Sequence, residues 1–138
     1  METNYVLDSC ALLAYVYKET GADVVKSIFT QADKNDVMLY MNKLNLFESY
    51  YDIRRSVGIQ QAEEFYSMVL ISSIQIIDGI SDFVFREAGR IKTSYKISLA
   101  DSIALGQTSI LKASILTSDH HEFDVIEKNE EIKFAWIR

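Results

Sequence analysis

Short apolar runs alternate with helical stretches along this chain, and that alternation limits its fold more than any other feature. Strand-like apolar runs occur at 5–7, 37–41, 74–78, 114–117 and 132–137. Apolar residues recur at helical spacing in the stretches between them: 11–16, 21–32, 42–56, 60–70, 83–94, 98–112 and 121–126. Strands that alternate with helices favour parallel pairing. We therefore predict an α/β fold with three layers, α/β/α, around a mainly parallel central sheet of about five strands.

The length and composition indicate one compact domain that spans residues 1–138. A chain of 138 residues with 49% hydrophobic content can bury a sizeable core. It contains no proline and no low-complexity segment that would mark a linker. No apolar stretch is long enough to cross a bilayer, and the N-terminus does not resemble a signal peptide. We expect a cytoplasmic protein without membrane association.

The net charge of −6 and the pI of about 4.9 argue against a broad basic surface for nucleic acid. Carboxylates that converge on divalent cations are the exception, because the bound metal cancels their charge and can itself receive a phosphate. The lone Cys10 is expected to be a small buried side chain rather than a nucleophile.

The segment 98–106 predicts a helix that begins with an acid. Ser98 is a good N-cap, Asp101 lies three residues later, and Leu99, Ile103 and Leu105 form an apolar body that we expect to be buried. Asp101 has an ordinary explanation, since an acid in the first turn favours the helix dipole.

Three further acids occupy comparable places. Asp8 follows the first strand and Asp119 the fourth, so both are expected at the carboxyl edge of the sheet, where α/β folds bind ligands. Glu48 is predicted on the inward stripe of the helix 42–56, with Leu44, Phe47 and Tyr51.

Each of these acids also has a structural explanation that involves no ligand. Asp8 can cap the first helix, Asp119 can form a capping box with Glu122, and Glu48 can pair with Lys43 or Arg55. If they converge instead, their mutual repulsion of about 4 kcal/mol per close pair requires protons, arginines or cations. Carboxylate oxygens select Mg²⁺ or Mn²⁺, and such a site suits phosphodiester hydrolysis by activated water.

At these positions the chain resembles the acidic blocks of PIN-domain ribonucleases, and in its short single-domain form the VapC-type toxins of toxin–antitoxin modules. The blocks that carry the resemblance are DSCALLA (8–14), NLFE (45–48), SLADSIALG (98–106) and LTSD (116–119). They follow in the family's order, and the third is the most specific.

The resemblance implies a Mg²⁺- or Mn²⁺-dependent endoribonuclease that forms a homodimer and is restrained by a small antitoxin. By this resemblance Asp8, Glu48, Asp101 and Asp119 match the catalytic, metal-binding quartet, and Ser9 and Ser118 its polar neighbours. The fourth acidic position varies in the family, so Glu122 and Asp124 remain alternatives to Asp119. Three other functions stay open: a non-catalytic binding module, a protein that acts only through its complex with an antitoxin, and an RNA-processing nuclease outside toxin–antitoxin systems. A phosphatase is disfavoured because Cys10 stands where its second aspartate belongs.

The sequence also contains candidate residues for contact with a substrate and with protein partners. Basic and aromatic side chains that are candidates for contact with RNA are Lys43, Arg54, Arg55, Arg86, Arg90, Lys92, Lys96, Tyr50, Tyr51, Tyr66 and Tyr95. The apolar segment 65–71 is expected to bury against a partner subunit or an antitoxin helix.

Overall fold

The computed structural model describes residues 3–138, in which five strands alternate with helices. The elements in chain order are β1 (Thr3–Leu7), α1 (Ser9–Val16), α2 (Ala22–Asp33), β2 (Val37–Asn42), α3 (Lys43–Ser56), α4 (Ile59–Ile71), β3 (Ile74–Ile77), α5 (Asp82–Ser94), α6 (Leu99–Leu111), β4 (Ser114–Thr117), α7 (His120–Asn129) and β5 (Lys133–Trp136). The strands form one sheet in the order β3-β2-β1-β4-β5, and every pair is parallel. The predicted α/β fold is confirmed.

Two hydrophobic cores lie on the two faces of the sheet, so that the sheet is the middle of three layers. One joins strand residues such as Leu7, Leu39 and Leu116 to α1, α2, α3 and α4. The other joins Ile115 to α5, α6 and α7, with Phe123 fully buried among them. Because parallel strands must be covered on both faces, the helices divide between the two sides.

Polar side chains begin several helices, one of them at the predicted position. Ser98 accepts a hydrogen bond from the Asp101 N–H at 3.1 Å, as predicted. Ser81 does the same for Val84 at 3.3 Å, and Asn42 caps α3 through the Leu44 N–H at 3.0 Å. These caps fix where the helices start at the ends of their loops.

The predicted inward stripe of α3 is wrong at Phe47 and Tyr51, which are both exposed, whereas Leu44 and Glu48 are half-buried as part of that stripe. The fully buried face is formed by Asn45, Leu46, Ser49 and Ile53. The helix packs against α1, α4, α6 and β2.

One other burial prediction fails: Leu99 is 63% exposed at the start of α6 rather than buried in its apolar body. In the segment 65–71, Phe65 and Val69 pack into the chain's own core. Leu70 and Ile71 are the large apolar side chains of this segment that remain exposed, so the predicted contact with a partner narrows to them.

A close approach of α5 and α6 depends on Gly106. A Cβ placed there would lie 3.0 Å from the Ala88 Cβ and 3.1 Å from the Val84 carbonyl oxygen. Glycine therefore lets α5 pack directly on the helix that carries Asp101.

Among residues 3–138, every helix is too short or too polar to cross a membrane.

Candidate active site

Four acids from separate elements stand at or near the carboxyl edge of the sheet. Asp8 follows β1, Asp119 follows β4 after Ser118, Asp101 lies in the first turn of α6, and Glu48 lies in the second turn of α3. β1 pairs with β2 on one side and with β4 on the other, so the later strands of the sheet are added on both sides of β1. Such a switch point opens a crevice where α/β folds bind ligands.

Asp8 is the most enclosed of the four, with 2% of its surface exposed. Its Oδ1 caps α1 by accepting a hydrogen bond from the Ala11 N–H at 2.8 Å, and its Oδ2 has no hydrogen-bond partner among the described residues. Burial raises the pKa of Asp8 to about 7, and the charges of Asp101 and Asp119 add to the rise. Capping therefore explains only one of its two oxygens.

The carboxyl group of Asp101 also has a raised pKa. Burial raises the pKa of its carboxyl group to about 7, and the charges of Asp119, Glu48 and Glu122 raise it further. The Ser98 hydroxyl at the helix start acts in the opposite direction. Because the charges of acids from other elements act on both Asp8 and Asp101, the tertiary structure places these groups in one electrostatic site.

Glu48 is oriented by Ser9. The buried Ser9 hydroxyl donates a hydrogen bond to Glu48 Oε1, which joins α3 to the first residue of α1. Neither cation that might have neutralised Glu48 contacts it. Lys43 pairs with Asp78 at 3.6 Å, and the Arg55 guanidinium lies 5.4 Å from the centre of the Tyr51 ring.

Asp119 caps α7 and also faces the site. Its Oδ1 accepts a hydrogen bond from the Glu122 N–H at 3.2 Å, as the capping-box explanation predicts. Its own N–H donates to Thr117 Oγ1 at 3.1 Å, which fixes the turn through the half-buried Ser118. Asp124 instead pairs with His120 at 2.7 Å on the exposed side of α7.

No lysine or arginine in residues 3–138 forms an ion pair with Asp8, Glu48, Asp101 or Asp119.

The sequence matches the PIN domain family over residues 5–129. The chain belongs to the PIN-domain family. No curated protein matches it.

Solved structures with the same fold share little sequence with this PIN domain. A chain of DNA-bound VapBC from Salmonella typhimurium is 14% identical, with 100% of both chains covered and a TM-score of 0.74. A toxin–antitoxin complex from Klebsiella pneumoniae contains a chain 16% identical, covering 86% of this chain and 89% of that one, with a TM-score of 0.67. The sarcin–ricin loop cleaving toxin VapC20 of Mycobacterium tuberculosis is 10% identical, with coverages of 89% and 95% and a TM-score of 0.66.

The oxygens of this PIN domain fit a hard divalent cation. Among the described residues, no three His, Cys, Asp or Glu side chains are already arranged around one point. Mg²⁺ does not require that arrangement, since it binds one or two carboxylates and keeps several waters. The unpartnered, buried Asp8 Oδ2 supplies such a ligand, and no cluster of cysteines is present for zinc.

Two buried asparagines support the site, and the sequence analysis gave them no role. Asn45 donates from Nδ2 to the Ala100 carbonyl at 2.9 Å, which ties α3 to the residue before Asp101. Its Oδ1 is buried without a partner. Asn42 donates to the Gly79 carbonyl at 3.0 Å. Asn45 lies three residues before Glu48, within a block that resembles the family, and this position was the available signal.

Cys10 is half-buried rather than fully buried, and its surroundings disfavour a role as nucleophile. Burial raises the pKa of its thiol to about 12, and the surrounding acids, Asp8 first, raise it further. The thiolate that nucleophilic attack requires is therefore scarce at neutral pH.

Proposed function

We propose that this PIN domain is a Mg²⁺- or Mn²⁺-dependent endoribonuclease and the toxin of a toxin–antitoxin pair. The observation that carries the proposal is the convergence of Asp8, Glu48, Asp101 and Asp119 without any neutralising cation among the described residues. Two of them have a pKa near 7, which indicates a site where negative charge is unfavourable until a cation binds.

In this proposal Asp8 and Asp101 hold the metal directly, with Glu48 and Asp119 completing its surroundings, directly or through water. When bound, the metal supplies a Lewis acid that activates water and stabilises negative charge on the leaving oxygen. The Ala11 N–H fixes the Asp8 carboxylate, and the Ser9 hydroxyl orients Glu48. Thr117 Oγ1 holds the turn through Ser118 that places Asp119, and Asp124 is a more distant neighbour that pairs with His120.

The structural relatives support the biological part of the proposal. One is described as part of a toxin–antitoxin complex and another as a toxin that cleaves the sarcin–ricin loop, which is RNA. We infer that this chain, one domain over residues 1–138, likewise cleaves RNA in the cytoplasm as a homodimer until an antitoxin binds it. The exposed Leu70 and Ile71 remain candidates for one of these contacts.

The decisive experiment measures cleavage of single-stranded RNA in Mg²⁺ or Mn²⁺ and in EDTA. Asp8→Asn and Asp101→Asn are expected to lower the cleavage rate by more than about 100-fold, because each removes a charged metal ligand. Asp82→Asn is the matched control, since Asp82 is an exposed acid in the first turn of α5. Equal cleavage by all four proteins would contradict the proposal and favour a binding module.

A further inference from the structure

We propose that the ring of His120, at the carboxyl edge of the sheet, is a stacking platform for an unpaired nucleobase of the substrate. This inference rests on the proposed ribonuclease function and names how the same site would bind its substrate. It is carried by a stack of aromatic rings at the end of β5 that no part of the catalytic site uses.

The stack runs outward from the core. The Phe134 ring packs against the buried Phe123 with ring centres 5.6 Å apart. Trp136 stacks on Phe134 at 5.4 Å with an angle of 13° between the planes. His120 then covers Trp136 at 3.7 Å and 12°, which makes it the outermost ring.

The edges of these rings are held in place. His120 Nδ1 lies 2.7 Å from Asp124 Oδ1, and Nε2 lies 2.8 Å from the Arg138 carbonyl oxygen. The Trp136 indole donates to Glu127 Oε2 at 3.0 Å. Both ring nitrogens of His120 are occupied by these partners, so neither is free to bond a ligand.

The side chain of His120 is nevertheless 48% exposed. One face of the ring is covered by Trp136 and both nitrogens are bonded, so the exposed area is largely the outer face. A flat ring with a fixed orientation and an open face suits stacking by a base. It offers no free hydrogen-bonding group, so it recognises the presence of a base rather than its identity.

The position of the ring relates it to the acids. His120 is the first residue of α7, directly after Asp119 in the chain, and Trp136 ends β5, so a base stacked on the ring would lie at the carboxyl edge of the sheet, where Asp8 and Asp119 also stand. A base inside a duplex is already stacked on its neighbours and cannot add this contact. The expected substrate is therefore a single-stranded segment or loop of RNA, and a duplex of the same sequence is expected to bind more weakly.

The test uses a single-stranded RNA with one 2-aminopurine, whose fluorescence falls on stacking, mixed with the Asp101→Asn protein in Mg²⁺ so that the RNA stays intact. His120→Ala is expected to abolish the fluorescence decrease and to weaken binding about tenfold. His120→Phe retains a flat ring and is expected to keep both. His121→Ala is the matched control, because His121 is the exposed neighbouring histidine.

Several outcomes would overturn the platform. These are a His120→Ala protein that binds and quenches like its parent, a His120→Phe protein as weak as His120→Ala, or duplex binding equal to single-strand binding. Cleavage by the wild-type protein separates this proposal from the nuclease proposal. If the wild type cleaves RNA but His120→Ala has no effect on stacking, the platform alone fails. If His120-dependent stacking occurs but the wild type never cleaves, the nuclease proposal alone fails.

Discussion

Two groups of carboxylates in this PIN domain are treated in opposite ways. Near the amino ends of β4 and β5, Arg90 binds Glu87 at 2.7 Å and Glu130 at 2.9 Å. Hydrogen bonds from Arg90 lower the pKa of both glutamates. At the carboxyl edge, burial raises the pKa of Asp8 and Asp101 to about 7, and no arginine compensates.

The two groups therefore differ in their effect on stability: the first stabilises the fold and the second destabilises it. Glu87 and Glu130 are neutralised by the chain itself, so they join α5 to the end of α7. Asp8 and Asp101 destabilise the folded chain whenever they are charged and no cation is bound. We infer that the second group is kept for a bound ion rather than for stability.

The largest expected effect is on the metal-free protein. The folded pKa of Asp8 lies near 7 against an ordinary 3.8, so the folded state binds more protons between these values and loses stability as pH rises. Asp8→Asn keeps the cap on α1 and removes the charge. In EDTA at pH 8 it is expected to be about 4 kcal/mol more stable than the wild type, with the gap closing near pH 4. Urea denaturation measures this, and a less stable variant at pH 8 would break the comparison.

The second prediction concerns the response to metal. Mn²⁺ at about 100 times its Kd should stabilise the wild type by about 2.7 kcal/mol. Asp101→Asn should lose most of that gain, whereas Glu87→Gln should keep it, because Glu87 belongs to the paired group. Thermal denaturation with and without Mn²⁺ at pH 8 measures the shift. An undiminished shift in Asp101→Asn would show that the two groups do not differ in this respect.

A third prediction concerns Asn45, an uncharged side chain that helps to position the acids at the carboxyl edge. Asn45→Ala removes the bond between α3 and Ala100 and should lower RNA cleavage about 10- to 100-fold, because support of metal ligands has effects of that size. Asn129→Ala is the matched control, since Asn129 makes a similar 2.8 Å bond to the Val125 carbonyl within its own helix. Equal cleavage by the two variants would remove Asn45 from the site.

The smallest expected effect comes from the paired group. Arg90→Met should lower the free energy of unfolding by about 1 kcal/mol at pH 7, since Arg90 is half-exposed and solvent screens the pair. The lowered pKa of Glu87 and Glu130 means that this stabilisation is present above their ordinary pKa and is lost as pH falls through the lowered values. Urea denaturation at pH 7 and pH 3 should therefore show the variant and wild type converging at acid pH. At pH 7 the wild type is the more stable of the two, whereas in the Asp8→Asn comparison the variant is the more stable at high pH.

The elements that the sequence predicted are those with strong local signals. The five strands and the start of α6 at Ser98 agree closely with the structure. The buried face of α3 was wrong because the large aromatic residues at 47 and 51 outweighed the small polar ones in the helical pattern. The helix 121–126 was too short, since α7 continues to Asn129 through polar residues that carry no apolar pattern.

For the site, the sequence predicted which acids begin helices or follow strands, but not what surrounds them. The bond between Ser9 and Glu48 joins residues 39 positions apart, and that between Asn45 and Ala100 joins residues 55 apart. The ring stack of His120 depends on β5 lying beside β4, since Trp136 is paired with Thr117. Contacts of this kind have no local signature.

The sequence by itself determined the order of strands and helices and the placing of an acid at the end of β1, at the end of β4 and at the start of α6. These features follow from short-range preferences of the backbone and its caps. Only the tertiary structure decided that the acids are buried together without cations and that Arg90 neutralises a different pair. Burial and pairing depend on which distant residues the sheet and helices bring into contact, and a local pattern does not contain that information.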